Sequence, residues 1–349
     1  MYKRIIRPLL FLLPPESIHH LLLSILKFLF RIPGFSYVTR KVHHSESDVL
    51  ETEFLGMKFT NPVGMAAGFD KNGEVFREFS HLGFSHIEVG TVTPKAQPGN
   101  EKPRSFRIRK DQGLINRMGF NNHGVDALAD KLRSKRPPGL IIGGNIGKNT
   151  LTPNTEAVSD YEKCFTALYG LVDYFVVNVS CPNISDLHEL QDQDGLEKIL
   201  GRLAELRKQK ESYIPVLLKI SPDLNMAQID TSIQMVRKYG IDGIVATNTT
   251  IQREGLKTPE DKIQKIGNGG MSGGPLTSRS LGVVKYISEK TGGELPIIGV
   301  GGIMTARDAL NMLEAGATLV QVYTGFIYQG PGFVRRINKH IRKYKMSSV

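Results

Sequence analysis

From about residue 55 onward the chain alternates short apolar runs with amphipathic stretches. The runs are residues 62–68, 85–91, 140–146, 174–180, 216–220, 243–247, 296–301 and 319–323, each rich in Val, Ile or Gly and too short for a helix. Between most of them lie helical patterns, such as residues 161–169, 195–208 and 306–315. Strand–helix alternation implies a parallel sheet. Eight such units predict an α/β fold in which the sheet closes into a (β/α)8 barrel of the TIM type rather than an open doubly wound sheet. The stretch 92–139 is too long for one connection and is predicted to hold a helix and an excursion over the active-site face.

Ahead of the barrel the pattern differs. Residues 1–13 and 16–32 are apolar runs separated by Pro14-Pro15, which break any continuous helix. In the second run Ser17, His20, Ser24, Lys27 and Arg31 recur at spacings of three and four, so they form one narrow helical stripe. Leu21, Leu22, Ile25, Leu26, Phe28, Leu29 and Phe30 cover the rest. Neither run reaches the ~20 apolar residues that span a bilayer. Residues 1–45 also hold seven Lys and Arg against the single acid Glu16, a net +6 out of +11 for the whole chain. Basic, apolar helices of this length are predicted to lie in a lipid interface. The competing expectation is a helical hairpin covered by the main domain or by a partner chain. The predicted division is a helical membrane-docking extension at 1–45 and a barrel at 46–349, peripheral on the cytoplasmic face of the cell membrane. Charge that clusters with aliphatic helices, and not with stacking aromatics, argues against a nucleic-acid partner.

Composition narrows the chemistry. The two cysteines, Cys164 and Cys181, have no neighbours at metal-ligand spacing, so neither a metal site nor a disulfide framework is expected. No small-residue cleavage site follows the early apolar stretch, so no secretory signal is expected. In parallel barrels, chemistry sits at the C-terminal ends of the strands. The predicted strand ends carry Gly68, Asp70 and Lys71, then Thr91, Asn145, Asn178-Val179-Ser180-Cys181-Pro182-Asn183, Lys219, Thr247-Asn248-Thr249, Gly301-Gly302 and Tyr323-Thr324-Gly325. Any one of these is an ordinary turn residue. Amides, hydroxyls, amines and a thiol gathered on one predicted face form a candidate site. Gly299-Val300-Gly301-Gly302-Ile303 and Tyr323-Thr324-Gly325 follow strands seven and eight, where backbone N–H groups commonly hold a phosphate. Gly269-Gly270-Met271-Ser272-Gly273 is expected to be a further loop closing over the same ligand. No strand-associated Gly-x-Gly-x-x-Gly occurs, so a nicotinamide Rossmann site is not supported.

The motifs Ala66-Ala67-Gly68-Phe69-Asp70-Lys71, Val89-Gly90-Thr91-Val92-Thr93-Pro94, Asn116-Arg117-Met118-Gly119-Phe120-Asn121-Asn122 and Asn178-Val179-Ser180-Cys181-Pro182-Asn183 resemble those of dihydroorotate dehydrogenases. So do Ala246-Thr247-Asn248-Thr249-Thr250 and Ile298-Gly299-Val300-Gly301-Gly302-Ile303. The resemblance runs from about residue 50 to the end of the chain. The N-terminal extension looks like that of the membrane-associated, quinone-reducing branch (class 2).

The resemblance implies FMN as cofactor and oxidation of dihydroorotate to orotate in pyrimidine (UMP) synthesis, with electrons passed to a membrane quinone. By motif, Ala67, Gly68, Lys71, Thr91, Asn145, Asn178, Lys219, Thr247, Gly273, Gly302, Tyr323 and Thr324 would contact FMN. Lys71, Asn116, Arg117, Met118, Gly119, Phe120, Asn178, Asn183, Asn248 and Thr249 would contact the substrate. His19 and Arg107 look like quinone-channel positions. The residue types agree, because amides supply both donors and acceptors for a pyrimidine edge and Lys71 can pair with a carboxylate.

Dihydroorotate must lose a proton from C5 and a hydride from C6, and by motif position the base is Cys181. Membrane-associated members usually carry serine there and soluble ones cysteine, so the chain mixes two traits and leaves fumarate or NAD as alternative acceptors. Cys164, beside Phe165 in a helical pattern, is expected in the core. Two other readings stand beside this one. One is a flavin barrel acting on RNA, such as a dihydrouridine synthase, which tRNA binding would reveal. The other is an inactive membrane-bound scaffold, which flavin absorbance would exclude.

Overall fold

A computed structural model of the chain describes residues 1–45, 47–179 and 193–347. All eight predicted strands are present: β1 (Val63–Met65), β2 (His86–Val92), β3 (Ile141–Ile146), β4 (Tyr174–Asn178), β5 (Val216–Ile220), β6 (Gly243–Ala246), β7 (Ile297–Val300) and β8 (Leu319–Val322). Six are shorter than the apolar runs by up to three residues at an end, β5 matches its run and β2 is shifted from its run by one residue. Each pairs in parallel with its sequence neighbours, and β8 pairs with β1, closing the barrel. Helices such as Ala157–Leu168, Met226–Lys238 and Thr277–Lys290 cover the outside. Inside, Tyr174, Val176, Leu217, Val245, Ile298 and Leu319 pack on Phe54 and Phe59 of an antiparallel hairpin, Thr52–Phe54 with Met57–Phe59. That hairpin fills the N-terminal end of the barrel, and the opposite end is left for a ligand.

The 92–139 excursion holds strands Ser105–Ile108 and Gly113–Asn116 and helix Val125–Leu132. The glycine-rich segment expected as a loop is instead a strand, Gly270–Gly273, antiparallel to Gly113–Asn116. Met271 supplies the reason: it is buried with Ile108, Ile115 and Ile266, so the segment has a small apolar core of its own to join.

The N-terminal residues form a short helical stretch, Tyr2–Leu10, bent by 115° from the helix α1 (Pro15–Leu29), followed by α2 (Phe35–His43). Among the described residues no single helix is long and apolar enough to cross a membrane; only the bent pair meets that test together. Ile18 and Leu23 of α1 face the barrel, whereas Leu21, Leu22, Ile25 and Phe28 are exposed. Polar ties fasten the segment down. Tyr2 Oη donates to the Ile327 carbonyl at 2.6 Å, Arg107 donates to the Leu13 carbonyl at 2.6 Å, and Lys27 pairs with Glu74.

The tie with most leverage is Glu16, whose carboxylate meets the Arg104 guanidinium at 2.7 Å. Arg104 is nearly buried and also donates to the carbonyls of Pro98 and Asn100. Burial pushes the Glu16 carboxyl up, but the hydrogen bonds and charge of Arg104, with Lys102 beside it, bring it below the ordinary carboxylate range. A depressed carboxyl contributes stability that is present above its unfolded value of ~4.3 and disappears as pH falls through the lower folded value. Corrected for its intrinsic pH dependence, amide exchange in α1 is therefore expected to rise on acidification below about pH 4. In Glu16→Gln it is expected to be high already at neutral pH and to lack that acid step. An identical acid step in both proteins would assign it to another group.

Candidate active site

The C-terminal ends of the strands and the inner edge of α1 enclose one continuous cavity. It is lined by Ala67, Gly68, Lys71, Thr91, Asn178, Lys219, Thr247, Gly273, Gly302, Tyr323 and Thr324, all expected cofactor contacts, and by Asn116, Met118, Gly119, Phe120, Asn248 and Thr249, all expected substrate contacts. His19 and Arg107 line it at the helical end. Two expected residues do not face it. Asn145 lies one layer deeper, hydrogen-bonded to Thr91 and Asn178. Arg117 turns away and donates to the carbonyls of Ile266 and Asn268, so it braces the loop that presents Met118 and Gly119. Cys181 and Asn183 lie outside the described residues.

The glycines at the end of β7 have a stereochemical reason. Gly301 and Gly302 have φ of +107° and +72°. A Cβ on Gly302 would stand 2.3 Å from the Thr277 nitrogen, and Thr277 Oγ1 donates to the Gly302 carbonyl at 2.6 Å. The loop after β7 thus lies directly on the start of helix Thr277–Lys290. Beside it, Tyr323 and Thr324 begin the helical turn Thr324–Gln329. Backbone this close-packed, with N–H groups at two helix starts, suits a phosphate. Gly302→Ala is expected to cost more than ~1 kcal/mol of stability, since alanine resists φ above zero. It is also expected to weaken flavin retention about tenfold, or ~1.4 kcal/mol, read as bound flavin per chain after dialysis.

Electrostatics separate the titratable groups. Asp70 is fully buried and accepts the N–H groups of Glu74 and Val75 at 2.7 and 2.8 Å; burial pushes it up to about 6 in spite of those bonds. It clamps the turn that carries Gly68 and Lys71. Burial holds His19 down at about 4, helped by the charges of His20 and Lys71, so its imidazole is neutral at neutral pH. Burial likewise lifts the Tyr323 phenol to about 12, so it stays protonated. Lys71 donates to Asn121, which places its ammonium beside the Asn116–Phe120 loop. Cys164 is in the core, as expected, and burial raises its thiol well above the ordinary range.

Sequence reasoning missed Glu88, which ion-pairs with Lys219 inside the barrel, and Gln321, which donates to Glu88. The signal was present: a charged residue inside an apolar run that reads as a barrel strand. It also missed the Glu16–Arg104 pair, whose partners are 88 positions apart.

A closed parallel barrel with its ligand groups gathered at one mouth defines a (β/α)8-barrel protein with a ligand site at the strand ends, and comparison with known proteins narrows the class. The dihydroorotate dehydrogenase family model matches residues 49–344, and the chain belongs to that family, which is flavin-dependent in general. A Christiangramia forsetii protein named dihydroorotate dehydrogenase (quinone) is 52% identical over 341 residues, covering 98% of both chains. An Idiomarina loihiensis protein of the same name is 44% identical over 345 residues, covering 98% of this chain and all of that one. Among solved structures, the Eimeria tenella dihydroorotate dehydrogenase in complex with ferulenol superposes with a TM-score of 0.83 at 33% identity, covering 96% of this chain and 92% of that chain.

Proposed function

We propose that the chain oxidises (S)-dihydroorotate to orotate with FMN and passes the electrons to a membrane quinone, as the redox step of pyrimidine synthesis. The observation that carries this reading is the single cavity that joins the barrel mouth to the underside of α1. One end offers amides and lysines to a polar pyrimidine, and the other offers Ile18, Leu22 and Leu23 with a neutral His19 to an apolar molecule. Relatives named as quinone enzymes support the acceptor, and fumarate and NAD find no such support.

The residues suit FMN. Gly301, Gly302, Tyr323 and Thr324 would hold its phosphate, and Ala67, Gly68, Thr91, Asn178, Lys219, Thr247 and Gly273 its ring and ribityl chain, with Asn145 supporting Thr91 and Asn178 from the layer beneath. When bound, FMN supplies a two-electron acceptor for the substrate. Lys71 would pair with the substrate carboxylate, and Asn116, Asn178, Asn183 and Asn248 would satisfy the pyrimidine edge, with the Arg117–Phe120 backbone beside it. Cys181 would take the C5 proton. Lys219, which lines the cavity, would offer positive charge to a reduced flavin ring. Residues 1–45 would seat the protein peripherally on the cytoplasmic face of the cell membrane, with His19 and Arg107 at the quinone entrance.

The test is anaerobic mixing of the purified protein with dihydroorotate. Flavin absorbance is expected to bleach and then to recover with quinone, and with neither fumarate nor NAD. A colourless protein that takes up no FMN would sink the proposal.

A further inference from the structure

Midway along β2, on the barrel axis below the cavity, Glu88 has no exposed surface. An ionised carboxylate in such a place is costly unless charge and hydrogen bonds compensate it. Three strands other than its own supply them. Its Oε1 accepts from Asn145 Nδ2 of β3 at 2.6 Å and lies 3.8 Å from Lys219 Nζ of β5. Its Oε2 accepts from Gln321 Nε2 of β8 at 2.9 Å.

A carboxylate can only accept hydrogen bonds, whereas an amide or hydroxyl can point either way. Asn145 must therefore give its NH2 to Glu88 and keep its Oδ1 for the layer above. That oxygen accepts from Thr91 Oγ1 at 2.5 Å. With its proton so used, Thr91 Oγ1 accepts from Asn178 Nδ2 at 2.9 Å. Asn178 then turns its Oδ1 to Asn248 Nδ2 at 3.2 Å. Four successive donations run from Asn248 through Asn178, Thr91 and Asn145, and all point at Glu88. In a buried chain each bond polarises the next, so the direction is set at its terminus.

We propose that Glu88 is a positioning residue that sets the donor–acceptor polarity of this ring and holds the Lys219 ammonium in place. Glu88 decides which atoms Asn178 and Asn248 present to the pyrimidine, and it tempers the positive charge felt by the flavin. The proposal rests on the reading that Asn178, Asn248 and Lys219 face flavin and substrate.

The test compares flavin-loaded wild type with Glu88→Gln and Glu88→Asp. The potential of the bound flavin and its absorbance change on adding orotate are measured. Glutamine keeps the shape, removes the charge and can donate to Asn145, so the relay is free to reverse. Glu88→Gln is expected to weaken orotate binding at least tenfold. It is also expected to bind reduced flavin about tenfold more tightly relative to oxidised, a rise of ~30 mV for a two-electron couple. Glu88→Asp keeps the charge but withdraws it from Asn145, so orotate binding is expected to weaken with less than half of that rise. Wild-type orotate affinity in either variant overturns the polarity role, and an unchanged potential in Glu88→Gln overturns the role through Lys219. If Glu88→Gln does not fold, orotate binding by Glu88→Asp decides the question alone. A wild-type protein without FMN would instead sink the functional reading beneath it.

Discussion

Replacing Cys181 with alanine is expected to slow flavin reduction by dihydroorotate about 10²–10⁴-fold, the usual contribution of a positioned base, while FMN stays bound. The strand that precedes Cys181 in the chain is well anchored: β4 ends at Asn178, whose carbonyl accepts from Tyr161 Oη at 2.8 Å. Cys181 follows three residues later in the sequence. The other thiol offers no substitute. Cys164 is buried behind β2, with its Sγ 3.8 Å from the Val92 carbonyl, and burial makes it harder to ionise. Free cysteine titrates near ~8.5, so a thiol is partly ionised at neutral pH and a hydroxyl is not. Cys181→Ser should therefore keep some activity, displaced to higher pH. Stopped-flow bleaching across a pH series reads both variants, and a fully active alanine protein would remove Cys181 from the mechanism.

Removing residues 1–45 is expected to release the protein from vesicles and abolish turnover with a long-chain quinone, while dihydroorotate still bleaches the flavin. Because Glu16, Leu13 and Tyr2 tie this segment to the barrel, the truncation also strips partners from Arg104, Arg107 and Ile327. A gentler variant separates anchoring from folding. Ile25 and Phe28 are 42% and 65% exposed and point away from the barrel. Burying each in lipid is worth at least ~1.5 kcal/mol, so Ile25→Glu with Phe28→Glu should lower vesicle partitioning by about 100-fold. Flotation of the flavin-loaded protein measures this. Wild-type flotation by the double variant would return the exposed leucines and phenylalanines to the alternative of a protein partner.

The barrel was legible because its strands are buried on both faces, so most read as short apolar runs with polar groups at the end, interrupted at Glu88 in β2 and Gln321 in β8. The cofactor mouth followed from it, since parallel strands must all end on one face and their terminal residues converge there. The glycine-rich segment at 270–273 was less legible. Its strand character depends on Met271 meeting Ile108 and Ile115, far away in the chain. The orientation of Arg117 was hidden for the same reason, because the carbonyls that draw it away belong to Ile266 and Asn268.

Periodicity, glycine placement and the apolar, basic first 45 residues determine by themselves a barrel, its chemical face and an amphipathic extension, because these properties are written in local spacing. Only the tertiary structure decided that Glu16 locks to Arg104, that α1 roofs the same cavity the strand ends line, and that a chain of amide and hydroxyl hydrogen bonds ends on Glu88 inside the barrel. Those contacts join residues dozens of positions apart. Their energies depend on distance and burial, which no run of neighbouring residues records.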